Sequence, residues 1–505
     1  MISIFSKKKS LALAALFLFA ILLALPVFFI NFFDDAYIHG RLVEKLLEQG
    51  VPFFNDGENF KAGSSTGYIY LLSVVSHTSG LEPISAIRLV EGIVIFLSTI
   101  SIFWLANIAA PNTIRGKITA ALALPSILLA AYGGMETPVF CLLIIWAAIA
   151  FSSKKNYLSI FFLSLATAFR FEAILLWFAF CFFSWKKEKK SLILLCSVPF
   201  FLLVFFELSL YGSIIPHAAK VKSVAYGFPL FQSVFNALTL NMGMGIKGLL
   251  VAILLVTFFS IRLLFIVENK FRINFSDIYI GFSGLVLSIW AFGKSIIFPW
   301  YLCLFIVPFI IGSLLDKNGR TGYMNQGYSV INIMLLLIFA TIPIRQLLKD
   351  NSNQRVGYYL KIGAGLYSTC KSCSLLTSEI GGLGYSYKGV VYDAFGLGDP
   401  GASKFHPMKV PEERQDYGVG AIPPKYVELR RPDFIVSMPV FSVALRKSEV
   451  INRYYSYDCP MISNVFGDNI IQIFSKIQIQ LNVLSTMGCQ QTLKKSLFYN
   501  PFRLR

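Results

Sequence analysis

Charge is scarce in this chain. Only 14% of its 505 residues are Asp, Glu, Lys or Arg, where a soluble domain carries about a quarter. So little charge excludes an ordinary water-facing surface over this length. Acidic residues are scarcer still, 27 against 45 Lys and Arg, and the net charge is +18. That excess alone would suit nucleic acid, but the basic residues are distributed loop by loop, which suits a membrane protein and gives no nucleic-acid partner. No small-residue cleavage site follows the first apolar run, Leu11 to Ile30, although Lys7, Lys8 and Lys9 precede it. An uncleaved first helix is therefore expected rather than a signal peptide. No internal repeat and no low-complexity tract occurs, which argues against a transporter built from two pseudo-symmetric halves. What the chain has in plenty is apolar surface: 56% hydrophobic residues, 48 of them Phe.

Apolar runs recur at 11–30, 85–108, 118–132, 135–152, 156–169, 171–185, 191–210, 245–266, 275–293, 296–315 and 327–345. They predict an α-helical polytopic membrane protein with about eleven transmembrane helices. The shorter run 67–79 is expected to be interfacial and not to cross. With the N-terminus cytoplasmic, the inner loops hold Lys7–Lys9, Arg115 and Lys117, Lys154 and Lys155, Lys186, Lys187, Lys189 and Lys190, Arg262, Lys270 and Arg272, then Lys317 and Arg320. The short outer loops after the first hold few cations: Lys220, Lys222, Lys294 and a membrane-edge Arg170. That bias orients the chain in a bacterial inner (plasma) membrane and puts everything after the last span outside. Residues 1–345 then form the membrane domain. Residues 346–505, richer in charge, Gly and Pro, form an extracytoplasmic α/β domain with strands near Gly389–Tyr392 and Asp433–Val436.

The unusual polar residues collect on the outer face. The first outer loop, 31–84, opens Asp34-Asp35-Ala-Tyr37-Ile38-His39. Apolar residues at helical spacing and a terminal Gly50 predict an amphipathic helix along the membrane surface. Glu136 sits in the turn Tyr132-Gly-Gly-Met-Glu136-Thr137-Pro138. Arg170-Phe171-Glu172 joins two spans. Tyr211-Gly-Ser-Ile-Ile-Pro216-His217-Ala-Ala-Lys220-Val-Lys222 follows a later span, and Lys294 precedes Phe298-Pro299-Trp300-Tyr301. Any one of these alone reads as a helix end or a snorkelling side chain. Together they place carboxylates suited to general-base work on a hydroxyl beside cations suited to a phosphate leaving group.

Eight cysteines divide by location. Cys141, Cys181, Cys196 and Cys303 fall in spans, where they pack. Cys370, Cys373, Cys459 and Cys489 fall in the outer domain, where a structural disulfide, free thiols or a metal site are the alternatives. Cys370-Lys-Ser-Cys373 would need two further ligands to hold zinc.

The set D-D-A-Y-I at Asp34–Ile38, G-M-E-T at Gly134–Thr137, Arg170–Glu172 and Y-G-x-x-x-P-H-x-x-K from Tyr211 to Lys220 resembles the membrane glycosyltransferases of the GT-C fold. The similarity is greatest to the branch of mycobacterial terminal arabinofuranosyltransferases. The stretch from Gly384 to Pro400, with Arg431-Pro432-Asp433, is similar to that branch's outer domain. His217 stands where the branch often has Asn, and Phe171 where Pro is common. The resemblance implies transfer of a sugar, an arabinofuranose, from a polyprenyl-phosphate donor to a glycan, glycolipid or protein acceptor at the outer face of the bilayer. It implies Asp34 as base with Asp35 beside it. Arg170, Lys220, Lys222, His217 and Lys294 are then expected at the donor phosphate, and Tyr37, Glu136, Glu172 and Tyr211 at the substrates. No cofactor is assigned; a divalent cation, which some relatives use, would find oxygen ligands in Asp34, Asp35 and Glu136. The alternatives are a hexosyl (mannosyl) transferase of the same fold, a polytopic transporter or lipid flippase, and an assembly scaffold in which Asp34 would be dispensable.

Overall fold

The computed structural model describes residues 2–56, 62–63, 65–111, 113–185, 188–214, 217–218, 221–222, 246–268, 273–292, 298–316, 323–349, 352–408, 421–462 and 470–476. The chain divides into two compact units, Met1–Asn353 and Gln354–Arg505, a boundary eight residues beyond 345.

The first unit is helical. Its first eleven helices are α1 (Ile2–Ala24), α2 (Asp34–Gln49), α3 (Thr66–Ser79), α4 (Pro83–Ala109), α5 (Ile114–Ala121), α6 (Leu124–Tyr132), α7 (Thr137–Ser152), α8 (Asn156–Ala166), α9 (Ala173–Ser184), α10 (Lys190–Cys196) and α11 (Val198–Tyr211). Helices Ile246–Glu268, Phe275–Phe292, Cys303–Leu315 and Tyr323–Lys349 follow. Among the described residues, each of the eleven apolar runs overlaps one or two helices. Among the described residues, four segments are long and apolar enough to cross a membrane: Ser10–Phe28, Pro83–Ala109, Ile114–Tyr132 and Ser329–Leu348. The pair α10 and α11, bent by 49°, makes a fifth if taken as one span, and six shorter apolar helices of 10–17 residues accompany them. Leu11, Leu18 and Leu22 of α1 are exposed, as expected of a helix whose outward face meets lipid rather than water. The chain is a polytopic helical membrane protein.

Two expectations change. The helix from Asp34 does end at Gly50, in the left-handed conformation at φ 76°. But it is not a surface helix: Ala36 through Val43 are all buried, polar His39 and Arg41 included. The reason lies in the turn after α6. A side chain on Gly133 would meet the Phe33 ring at 2.2 Å, and one on Gly134, whose φ is 70°, would meet Phe32 at 2.7 Å. The two glycines therefore let the start of α2 sink into the protein, and Phe33 N–H donates to the Gly133 carbonyl at 3.2 Å. The second change concerns Arg262, counted above among inner-loop cations. It lies on helix Ile246–Glu268, buried between Asp277 and Asp316 at 2.5 Å each. Its charge is spent on a structural cluster.

The run 67–79 forms α3, which is not among the segments that qualify as spans. Ser65 caps it by accepting from Tyr68 N–H at 3.4 Å. Gly67 N–H donates to the Ala168 carbonyl at 2.8 Å, and a side chain there would collide with Ala168. This contact pins the turn that carries Arg170.

The second unit is α/β. Strands β1 (Leu375–Thr377), β2 (Val391–Asp393), β3 (Phe434–Ser437), β4 (Tyr455–Ile462) and β5 (Ile470–Lys476) form one sheet in the order β2-β1-β3-β5-β4. The first three run parallel; β5 is antiparallel to β3 and to β4. Leu376, Ile422, Tyr426, Ile435, Leu445 and Phe474 are in its core. The two expected strands are found within a few residues. Cys370 and Cys373 are bridged to each other. Cys489 lies outside the described residues.

Candidate functional site

The site is built where α2 begins. Asp34 and Asp35 are the first two residues of α2, with Phe33 as the N-cap. Carboxylates suit this position, because the first-turn N–H groups have no intrahelical partner and the helix dipole is positive there. Both are half-buried. Successive helical residues point about 100° apart, so the pair addresses two directions.

In one direction stands Lys222. Its ammonium lies 3.9 Å from Asp35 Oδ2 and donates to the Tyr301 hydroxyl at 3.2 Å. The rings of Phe298 and Tyr301 lie 4.8 and 5.6 Å away, a cation–π environment. Burial works against its charge, but Tyr301 and Asp35 outweigh that and raise its pKa above the usual lysine value. Lys222 is thus a held, charged donor. The aromatic shelf around it is stacked: Phe298 lies on Trp300 at 4.6 Å, and Trp300 packs on Phe33 at 5.0 Å. The shelf is thereby tied to the residue that caps α2.

Behind the pair lies a buried polar chain. His39, one turn beyond Asp35, puts Nε2 3.3 Å from Glu136 Oε2. Glu136 Oε1 accepts from Arg170 Nη1 at 2.7 Å. Arg170 also grips Glu172 by two bonds, Nη2 to Oε1 at 2.5 Å and Nε to Oε2 at 3.1 Å. Such bidentate pairs are the strong kind. The Arg170 guanidinium lies 4.7 Å over the Tyr301 ring. Beside this chain Tyr68 donates to Glu91 at 2.6 Å and meets His39 edge-on at 5.3 Å.

The structure therefore brings Asp35, Lys222, Glu136, Arg170 and Glu172 into one constellation. Tyr37 is buried under it, with Arg88 and Asp34 as charged neighbours. Arg170 had been expected at the donor phosphate; its guanidinium is occupied by two carboxylates. Glu136 and Glu172, expected at the substrates, are occupied by Arg170 in turn. Tyr211 ends α11 and packs edge-on against Phe53 at 6.4 Å. His217 is half-buried. Lys220 and Lys294 lie outside the described residues. Among the described residues no group of three or more His, Cys, Asp or Glu side chains converges as metal ligands, so Asp34, Asp35 and Glu136 do not form such a group.

Sequence reasoning missed His39, Tyr301, Tyr68 and Glu91. For Glu91 a signal existed: a carboxylate inside an apolar run is costly without a role. His39 stands at i+4 from Asp35, the spacing that puts two residues on one face.

No protein-family model matches the chain, and no curated protein matches it. Among solved structures, ArnT from Cupriavidus metallidurans bound to undecaprenyl phosphate is similar at a TM-score of 0.48 and 11% identity, over 92% of this chain and 98% of that one. The same protein in its apo state gives the same values. The arabinofuranosyltransferase AftD from Mycobacteria is similar at a TM-score of 0.44 and 12% identity, over 92% of this chain and 40% of that one. A likeness of this degree assigns no role to any residue here.

Proposed function

We propose that this chain is a membrane glycosyltransferase of the GT-C type. It moves a sugar, an arabinofuranose on the motif resemblance, from a polyprenyl-phosphate donor to a hydroxyl of a glycan, glycolipid or protein. One observation supports this above the others: motif stretches far apart in sequence meet at the start of α2. Asp35 faces Lys222, the Gly134–Thr137 turn packs under the helix, and Arg170–Glu172 joins that turn.

The chemistry follows from the two directions. Asp34 takes the proton from the acceptor hydroxyl. The hydroxyl oxygen forms a bond to the anomeric carbon as the bond from that carbon to the phosphate oxygen breaks. The electron pair leaves with the polyprenyl phosphate, and Lys222 meets the added negative charge. Lys220, Lys294 and His217 are further phosphate-side residues in this reading. In a single displacement the base and the phosphate partner must lie on opposite sides of the reacting carbon. Neighbouring carboxylates about 100° apart on a helix allow that: one faces Lys222 and the other the acceptor.

Lys222 gives the direct test. Its charge-assisted contacts are worth about 1.5–3 kcal/mol. Lys222→Ala is expected to weaken binding of undecaprenyl phosphate to the purified protein by about 10–100-fold. An unchanged affinity would remove Lys222 from the phosphate side.

The reading also places the chemistry on the face of a bacterial plasma membrane away from the cytoplasm, with the second unit on that side. Cysteines introduced at Lys155 and Lys404, both exposed, are expected to react with an impermeant reagent only at position 404 in intact spheroplasts. Equal labelling at both positions would overturn this orientation.

A further inference from the structure

His39 takes no part in the transfer just described, yet it closes a ring of contacts around it. From Asp35 the ring passes to Lys222 at 3.9 Å, and from Lys222 to the Tyr301 hydroxyl at 3.2 Å. The Tyr301 ring carries Arg170 at 4.7 Å. Arg170 binds Glu136 at 2.7 Å, and Glu136 meets His39 at 3.3 Å. One turn of α2 returns the path from His39 to Asp35. Five of the six steps run through side chains from five separate parts of the chain; the sixth is rigid helix.

We propose that His39 is a positioning residue: through its 3.3 Å approach to Glu136 Oε2 it sets the rotation of α2, and with it the distance between the Asp34–Asp35 pair and Lys222. This rests on the glycosyltransferase reading above. Apolar packing fixes that rotation poorly. Ala36, Ile38, Leu42 and Val43 are buried, and burial is non-directional, whereas the approach of His39 Nε2 to Glu136 Oε2 at 3.3 Å ties one point of the helix to a second part of the chain. A carboxylate about 6 Å from a helix axis moves about 1 Å when the helix turns by about 10°. A misplacement of about 1 Å can lower a rate by about 100-fold. Glu136 is suited to receive the contact, since Arg170 takes its Oε1 and leaves Oε2 without a hydrogen-bond partner among the described residues. The imidazole is held at its other side by the edge contact with Tyr68, whose hydroxyl is bound to Glu91, so the ring cannot swing freely.

The test uses full-length enzyme in detergent, a polyprenyl-phosphate sugar as donor, and two substitutions. His39→Phe keeps an aromatic ring against Tyr68 and removes the donor. His39→Gln keeps a donor. His39→Phe is expected to lower kcat by about 100-fold, with KM for the donor and affinity for undecaprenyl phosphate within about threefold of wild type. His39→Gln should recover most of the loss. In a Glu136→Gln background, His39→Phe should cost less than about threefold, because the contact is already weakened. Equal losses in both backgrounds, or an unchanged kcat in His39→Phe, would overturn the positioning role. If His39→Phe does not fold, His39→Met, which also removes the donor, is compared in the two backgrounds in its place. Asp34→Asn and Lys222→Ala separate the two ideas. If the wild-type enzyme transfers no sugar, the glycosyltransferase reading fails; if Asp34→Asn and Lys222→Ala impair transfer while His39→Phe is silent, only the positioning role fails.

Discussion

Asp34→Asn lowers turnover by about 10²–10⁴-fold, the usual worth of a general base, while the protein folds and binds undecaprenyl phosphate as before. The substitution removes charge and keeps shape. Its structural effect is small, because a first-turn carboxylate contributes only about 0.3–1 kcal/mol to its helix. The N-cap of α2 is Phe33, held through its backbone to Gly133, so the helix start does not depend on the Asp34 side chain. Asp35→Asn is a different experiment. It takes the carboxylate from Lys222, 3.9 Å away, and is expected to change donor binding more than the chemical step. Transfer assays on both purified variants, at matched folding and donor occupancy, separate the two. Near wild-type turnover in Asp34→Asn would move the base to Asp35. Glu136 is a poor third choice, because it is fully enclosed and bound to Arg170.

Arg170→Ala is expected to destabilise the first unit by about 3–5 kcal/mol, the cost of leaving buried charge without its partner. Two carboxylates would then face each other with the guanidinium gone: Glu136, 0% exposed, and Glu172, 5% exposed. The readout is a lower melting temperature in detergent and a smaller folded fraction on size exclusion. Arg170→Lys recovers little, since one ammonium cannot reproduce a fork that binds Glu172 twice and Glu136 once. Adding Glu136→Gln and Glu172→Gln to Arg170→Ala should restore part of the loss, because no unpaired charge then remains. A melting temperature unchanged in Arg170→Ala would show that the cluster is not closed as described. This expectation differs from that of a cation at the membrane edge, which would affect carrier binding and leave folding alone.

Much of the fold was legible along the chain. Apolar runs marked the helices because a helix in lipid must be apolar over its length and must satisfy its own backbone. Gly50 marked the end of α2 because a left-handed residue there is easiest without a Cβ. The approach of Asp35 to a cation could be expected from where unusual polar residues gathered. The partners could not. His39 and Arg41 read as the polar face of a surface helix, since periodicity reports neighbours on one helix only. In the structure both are buried, because their polar partners arrive from elsewhere: Glu136 for His39, and for Arg41 the Phe54 carbonyl at 2.7 Å.

By itself, then, the sequence determined what is written in local composition: a helical membrane unit, an α/β unit after it, and a carboxylate pair opening α2. Tertiary structure decided which charges meet. It joined Lys222 to Asp35 rather than leaving it to solvent, enclosed Arg170 between Glu136 and Glu172, and put His39 against Glu136. The physical reason is that a charge out of water is stable only beside a partner within a few ångströms. Which partner that is depends on how separate turns are folded together, and here on Gly133 and Gly134, whose missing side chains let α2 in.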